Sequence, residues 1–126
     1  MKTKSEKDLR HFDQEDWASA YKNVENELSN LKIDNIKGEI PKELCGTLYR
    51  NGPGRFERAG RWIHHPFDGD GMISSIHFKK GEARLSNRFI RTKAWEEEEK
   101  AEKFTYRGVF GTQKAGGPIA NAFDLR

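Results

Sequence analysis

At 126 residues the chain has room for one domain at most. Hydrophobic and charged residues each make up 34%, and mean hydropathy is −0.95, yet 11% aromatic residues are too many for a disordered chain. The net charge of +3 divides unevenly, with seven Lys/Arg against eight Asp/Glu in residues 1–37 and sixteen against twelve in 38–126. Acids and bases interleave without a basic block, which argues against a nucleic-acid surface.

The opening residues, "MKTKSEKDLRH", are charged and lack the apolar core of a secretory signal; residues 1–12 read as a flexible N-terminus. No run approaches the ~20 apolar residues of a membrane span. Cys45 is the single cysteine, so no disulfide can form within the chain. That fits a reducing, cytoplasmic setting. In "KELCGTL" Cys45 reads as a small buried residue.

In chain order, Trp17, Tyr21, Val24 and Leu28 fall at helical spacing, and the stripe predicts an amphipathic helix over 13–30 capped by Asp13 or Asp16. Thr47, Leu48 and Tyr49 suit a short strand entering a turn at Asn51-Gly52-Pro53-Gly54. Period-two alternation flanks "KKGE": Met72, Ile76 and Phe78 on one face, then Ala83, Leu85 and Phe89, predicting an antiparallel hairpin over 72–92. "FDGDG" is the loop that delivers its first strand. "KAWEEEEKAEK", 93–103, reads as a solvated helical turn or loop with Glu96–Lys100 and Glu99–Lys103 pairs. "FTYRGVFG", 104–111, is a strand candidate, and "TQKAGGPIANAFDLR" a Gly/Pro-rich loop. Short strands without a βαβ rhythm predict an all-β fold with an added helix.

The stretch "HHPFDGDGM", 64–72, invites a chemical reading. His64 and His65 are adjacent on an extended backbone and point apart, and His77 lies on the polar face of the hairpin, so these three read as surface or packing histidines rather than metal ligands. Asp68-Gly69-Asp70-Gly71 lacks the further carboxylates of an EF-hand loop. Neither "NGPG" nor "DGDG" carries the Lys and Ser/Thr of a phosphate loop. Asp68 and Asp70 could share a proton if buried, but read better as turn residues bonding backbone amides.

Four blocks, "GEIPKELCGTLYRNGPG", "HHPFDGDGM", "NRFIRT" and "YRGVFG", resemble in order and spacing the N-terminal part of the carotenoid cleavage oxygenase family. The resemblance runs from about residue 16 to the end. It is nearest to the bacterial, cyanobacterial-type apocarotenoid oxygenases and more distant from the lignostilbene dioxygenases and the retinoid isomerase of the eye. It implies that the chain is the N-terminal part, about two blades, of a seven-bladed β-propeller preceded by the short amphipathic helix, with the partial propeller domain occupying 13–126. It also implies oxidative cleavage of a carotenoid or apocarotenoid double bond by O₂ at a non-haem Fe(II) held by four histidines. Those ligands follow the region covered here, so the resemblance places no metal ligand and no catalytic residue in this chain. It does carry Phe67 onto a position lining the substrate tunnel. Arg50, Asn51, Gly52, Pro53 and Asp68, Gly69, Asp70, Gly71 match the family's two signatures, read as structural.

The family's membrane-dipping patch corresponds to Val109–Leu125, where Val109, Phe110, Ile119, Phe123 and Leu125 stand among glycines. They fit either a peripheral membrane contact or a buried propeller connection. A propeller blade takes roughly 40–45 residues, so two blades cannot close a ring and would expose strand edges. A chain ending at Arg126 is therefore expected to lack iron and dioxygenase activity and to be poorly soluble. Two readings stand: the N-terminal part of a non-haem iron dioxygenase, or a truncated inactive remnant that at most holds an apolar ligand or a membrane surface.

Overall fold

The computed structural model describes residues 21–114 and 117–122. Six strands, two helices and one 3₁₀ turn follow in order: β1 (Leu31–Lys32), β2 (Gly46–Arg55), β3 (Glu57–Arg58), β4 (Arg61–Trp62), the turn Pro66–Asp68, β5 (Asp70–Lys79), β6 (Glu82–Phe89), α1 (Lys93–Ala101) and α2 (Gly117–Ala120). Four strands form an antiparallel sheet ordered β1-β6-β5-β2, and β3 pairs with β4. Phe56, Ile63 and Phe104 make a small buried core with Trp62 packed against it. Met72, Ala83 and Phe89 are buried on the sheet.

The hairpin forms where alternation predicts it, spanning 70–89 rather than 72–92. Met72 faces Phe89, Ile76 faces Leu85 and Phe78 faces Ala83. Its two-residue turn, Lys80-Gly81, has φ of 52° and 79°. Positive φ at both central residues is the type I′ geometry that matches strand twist. Ile76 and Leu85 sit in a row that crosses the whole sheet from Leu48 to Leu31. The outer two members of that row are half-exposed.

The helix predicted over 13–30 does not form in its described part; residues 13–20 lie outside the described residues. Residues 21–30 are irregular because their polar groups bond across the fold. Val24 N donates to Gly54 O at 2.8 Å, and Asn87 N to Leu28 O at 3.0 Å. Asn23 Oδ1 accepts from Phe56 N and Glu57 N, and Leu28 N donates to Asn87 Oδ1. Tyr21 still lands on Phe56, with ring centroids 5.1 Å apart. Val24 and Leu28 of the stripe are partly buried and Tyr21 is exposed, and tertiary partners replace the intrahelical ones.

The turn predicted at Asn51–Gly54 is strand interior instead. β2 runs on to Arg55, with a bulge between Pro53 and Arg55. A proline is tolerated there because β2 is an edge strand and the bulge interrupts its pairing at this point. Gly54 serves close packing: a Cβ on it would lie 2.9 Å from both Met72 Cβ and Phe89 Cε1. Cys45, expected to be buried, is exposed just before this edge.

Residues 93–101 form a helix, with Thr92 Oγ1 capping Trp95 N at 3.1 Å. It is not the solvated run its four glutamates suggest. Glu98 is fully buried, Glu99 pairs with Arg55 and Arg58, and the i,i+4 ion pair that forms is Lys93–Glu97. The strand predicted over 104–111 is a loop, and the Gly/Pro-rich segment after it contains the one-turn helix α2.

Candidate functional site

The segment 64–72 makes a tight corner between β4 and β5. Pro66 starts the 3₁₀ turn with φ already set for it. His65 fastens both sides of the turn: its carbonyl accepts from Asp68 N at 2.9 Å and its Nδ1 from Phe67 N at 3.1 Å. Gly69 closes the corner where a Cβ would lie 2.8 Å from both Arg55 O and Pro53 Cβ. The turn sends Phe67 outward, 73% exposed, and Asp68 inward.

Asp68 then fixes a second loop. Its Oδ1 accepts from Phe110 N at 2.9 Å and its Oδ2 from Thr112 N at 3.0 Å. Two amides on one carboxylate make strong, charge-assisted bonds. Gly108 lies directly beneath, where a Cβ would fall 2.3 Å from the carboxylate. His64 N donates to Thr112 Oγ1 at 2.8 Å, so the two loops are joined along their length. This bears on the missing strand at 104–111: the Phe110 N–H goes to a carboxylate and the Gly108 N–H to Thr112 O. At the near end of the loop Glu98 Oε1 accepts from Thr105 N and Tyr106 N at 2.9 and 3.0 Å.

Asp70, two residues on, has a different task. Its Oδ2 takes Arg58 Nη2 at 2.6 Å. Arg58 is buried and also meets Glu98 and Glu99, while Arg55 reaches Glu99 at 3.2 Å. Asp68 and Asp70 thus do not form a proton-sharing pair; one holds backbone amides, the other a buried guanidinium. The expectation that they are turn residues bonding backbone amides holds for Asp68, whose amides belong to a distant loop, and Asp70 instead meets a buried guanidinium.

The outward side chains form an aromatic wall. Phe67 and Phe110 meet edge to face at 5.6 Å. The His65 ring stacks on Phe110 at 4.8 Å and meets Phe67 at 4.9 Å. Beside them an open groove of about 510 Å³ is lined by Phe67, Phe110, Val109, Ile90 and Lys93, with the DGDG backbone as its floor. An apolar, largely preformed groove with one cation at its edge suits a long apolar ligand. Val109, Phe110 and Ile119 are all more than half exposed, whereas Phe123 lies outside the described residues.

The described histidines do not converge. His65 belongs to the corner, and His77 bonds Thr47 Oγ1 at 2.9 Å on the hairpin. Among the described residues no three His, Cys, Asp or Glu side chains come together as a metal site. The four-histidine iron set therefore does not fit the described residues. Nor is any helix of the described residues long and apolar enough to cross a membrane.

Sequence reading missed the Arg58–Glu98 centre. The available signal was Glu98 lying three residues beyond Trp95, on the same helix face as a large aromatic. It also missed Phe110's partnership with Phe67, which no spacing could show across 43 positions.

The comparisons agree with this geometry. The family model for retinal pigment epithelial membrane protein matches residues 21–126. The apocarotenoid-15,15'-oxygenase of Synechocystis is 44% identical over 118 residues, which is 93% of this chain and 24% of that protein. The isoeugenol monooxygenase of Pseudomonas nitroreducens is 38% identical over 88 residues, 70% of this chain and 17% of that protein. The crystal structure of cobalt-substituted Synechocystis apocarotenoid oxygenase superposes with a TM-score of 0.80 at 44% identity, covering 90% of this chain and 24% of that one. These structural neighbours are β-propellers, and the four-stranded antiparallel sheet is a portion of one. The chain spans about a quarter or less of the relatives it matches. It belongs to the retinal pigment epithelial membrane protein family, that of the carotenoid oxygenases.

Proposed function

We propose that this chain forms the N-terminal part of an oxygenase that cleaves a double bond of a carotenoid or apocarotenoid with O₂, leaving two carbonyl products. The aromatic groove of Phe67 and Phe110 carries this reading, because a flat apolar wall beside a long open channel suits a rigid polyene. The names of two relatives point the same way, one an apocarotenoid oxygenase and the other an isoeugenol monooxygenase. Both imply oxidation of an unsaturated, largely apolar substrate.

In this reading Phe67 is a substrate-binding residue, and the described segment supplies part of the substrate wall. The Fe(II) that the family resemblance implies requires ligands other than the described residues. Exposure of Val109, Phe110 and Ile119 supports peripheral membrane contact by a cytoplasmic protein, which suits a lipid-dissolved substrate. The inactive remnant stays as the competing reading.

Incubating the protein at its native length with an apocarotenal under O₂ tests the proposal by chromatography. Two carbonyl fragments in the wild type, with KM raised several-fold by Phe67→Ala, support it. Intact substrate after prolonged incubation with iron-replete protein refutes it and leaves the remnant reading.

A further inference from the structure

We propose that Asp68 is a positioning residue for the polyene: it sets Phe110 against Phe67 and so shapes the mouth of the groove. The inference rests on the substrate reading above.

Phe67 and Phe110 reach the same wall by different routes. Phe67 is placed covalently by the 3₁₀ turn that His65 and Pro66 make. Phe110 sits on a loop with no ladder partner to fix it at that point; its own N–H is held by Asp68 Oδ1 at 2.9 Å. Thr112 N, two residues on, is held by the other carboxylate oxygen at 3.0 Å. One turn therefore fixes both rings, because it points residue 67 out and residue 68 in. Asp68 is 4% exposed and Gly108 leaves no room on its side of the carboxylate. The rings it aligns are exposed, touching each other at 5.6 Å and the His65 ring at 4.8 and 4.9 Å, and the clasp beneath adds the hydrogen bonds that hold the backbone of Phe110.

Charge is the decisive property. A carboxylate offers an acceptor oxygen to each of the two amides. The isosteric amide of Asp68→Asn offers one oxygen and turns an NH₂ towards the other N–H, so volume is kept while one bond becomes a donor–donor clash. Phe110 is then free to move, and the groove must reorder it at the moment of binding.

Steady-state cleavage of an apocarotenal by the protein at its native length tests this. Asp68→Asn is expected to raise KM about tenfold with kcat within about twofold, the pattern of lost preorganised binding rather than lost chemistry. Phe110→Ala is expected to raise KM similarly, and the double variant to be no worse than the worse single one, because Asp68 acts through Phe110. A purely structural Asp68 would instead lower activity and melting temperature together, leave the KM of the folded fraction unchanged, and add to Phe110→Ala. An unchanged KM in Asp68→Asn, or additivity in the double variant, overturns the inference while leaving the substrate reading intact. Phe110 is half-exposed and its truncation threatens the fold least, so an unchanged KM in Phe110→Ala overturns it even where Asp68→Asn fails to fold. Absence of turnover in the wild type overturns the substrate reading and this inference with it.

Discussion

Replacing Gly108 with alanine places a methyl group inside the clasp that joins the two loops. The new Cβ would lie 2.3 Å from Asp68 Cγ and Oδ2 and 2.6 Å from Oδ1, where ordinary contact needs more than 3.4 Å. The obstacle is a buried carboxylate held by two backbone amides, not the far end of a flexible chain. Asp68 must retreat by about 1 Å, which stretches its bonds from Phe110 N and Thr112 N beyond hydrogen-bonding range. Hydrogen bonds to a charged group contribute about 1.5–3 kcal/mol each, so losing both costs about 3–6 kcal/mol. Reduced freedom of the unfolded chain returns about 0.4–1 kcal/mol. A net loss of about 2–5 kcal/mol is expected, read as a lower denaturation midpoint in urea at unchanged slope. Gly52→Ala is the matched control, since nothing lies within 4 Å of its Cβ position. Adding Asp68→Ala to Gly108→Ala removes the clash, so the pair should cost less than the sum of the singles. Gly108→Ala within about 0.5 kcal/mol of wild type, the scatter of ordinary surface changes, would refute the clasp as the force that holds the loop.

Two further outcomes follow from the charges around it. Glu98→Gln keeps one acceptor for Thr105 N and Tyr106 N but removes a charge beside buried Arg58; a loss of about 3 kcal/mol is expected in thermal or urea melts, and a loss below about 1 kcal/mol would mean that Asp70 and Glu99 satisfy Arg58 alone. Glu27 has its carboxyl held below the ordinary value of 4.5, first by the Arg91 side-chain hydrogen bond and then by Phe89 N. A carboxylate with a lowered folded pKa stabilises fully above its unfolded value and loses that contribution as pH falls through the folded one. Stability should therefore decline below pH 4.5 in the wild type, and Glu27→Gln should flatten that decline; equal acid slopes in the two proteins would exclude the Glu27–Arg91 pair as a contributor.

What the residues revealed in advance followed from local periodicity. The hairpin was legible because Met72, Ile76, Ala83, Leu85 and Phe89 alternate and Lys80-Gly81 tolerates positive φ. No periodicity indicated that the corner turns Phe67 outward. The failures share a physical cause. Residues 21–30 have a helical stripe and residues 104–111 a strand-like one, yet neither forms its element. In both segments the backbone N–H groups are taken by partners outside the segment: Gly54, Asn87 and Ser86 for the first, Glu98 and Asp68 for the second. Alternation reports which side chains are buried; it does not report which group accepts an N–H.

The same distinction bears on the four glutamates of α1 and the two aspartates of the corner. By composition both look like solvated charge or a cation site. In the fold, Glu98, Glu99 and Asp70 surround Arg58, and Asp68 replaces a strand partner for the loop that carries Phe110. Buried carboxylates are costly unless paired, so each is retained only where it satisfies several donors at once. That requirement ties the two sides of the groove to one corner: the ion cluster anchors α1 and Lys93 on one side, and the clasp anchors Phe110 on the other. A groove shaped this way depends on charges spent on the fold. Its residues of greatest consequence are therefore the inward-facing Asp68 and Arg58 as much as the exposed Phe67.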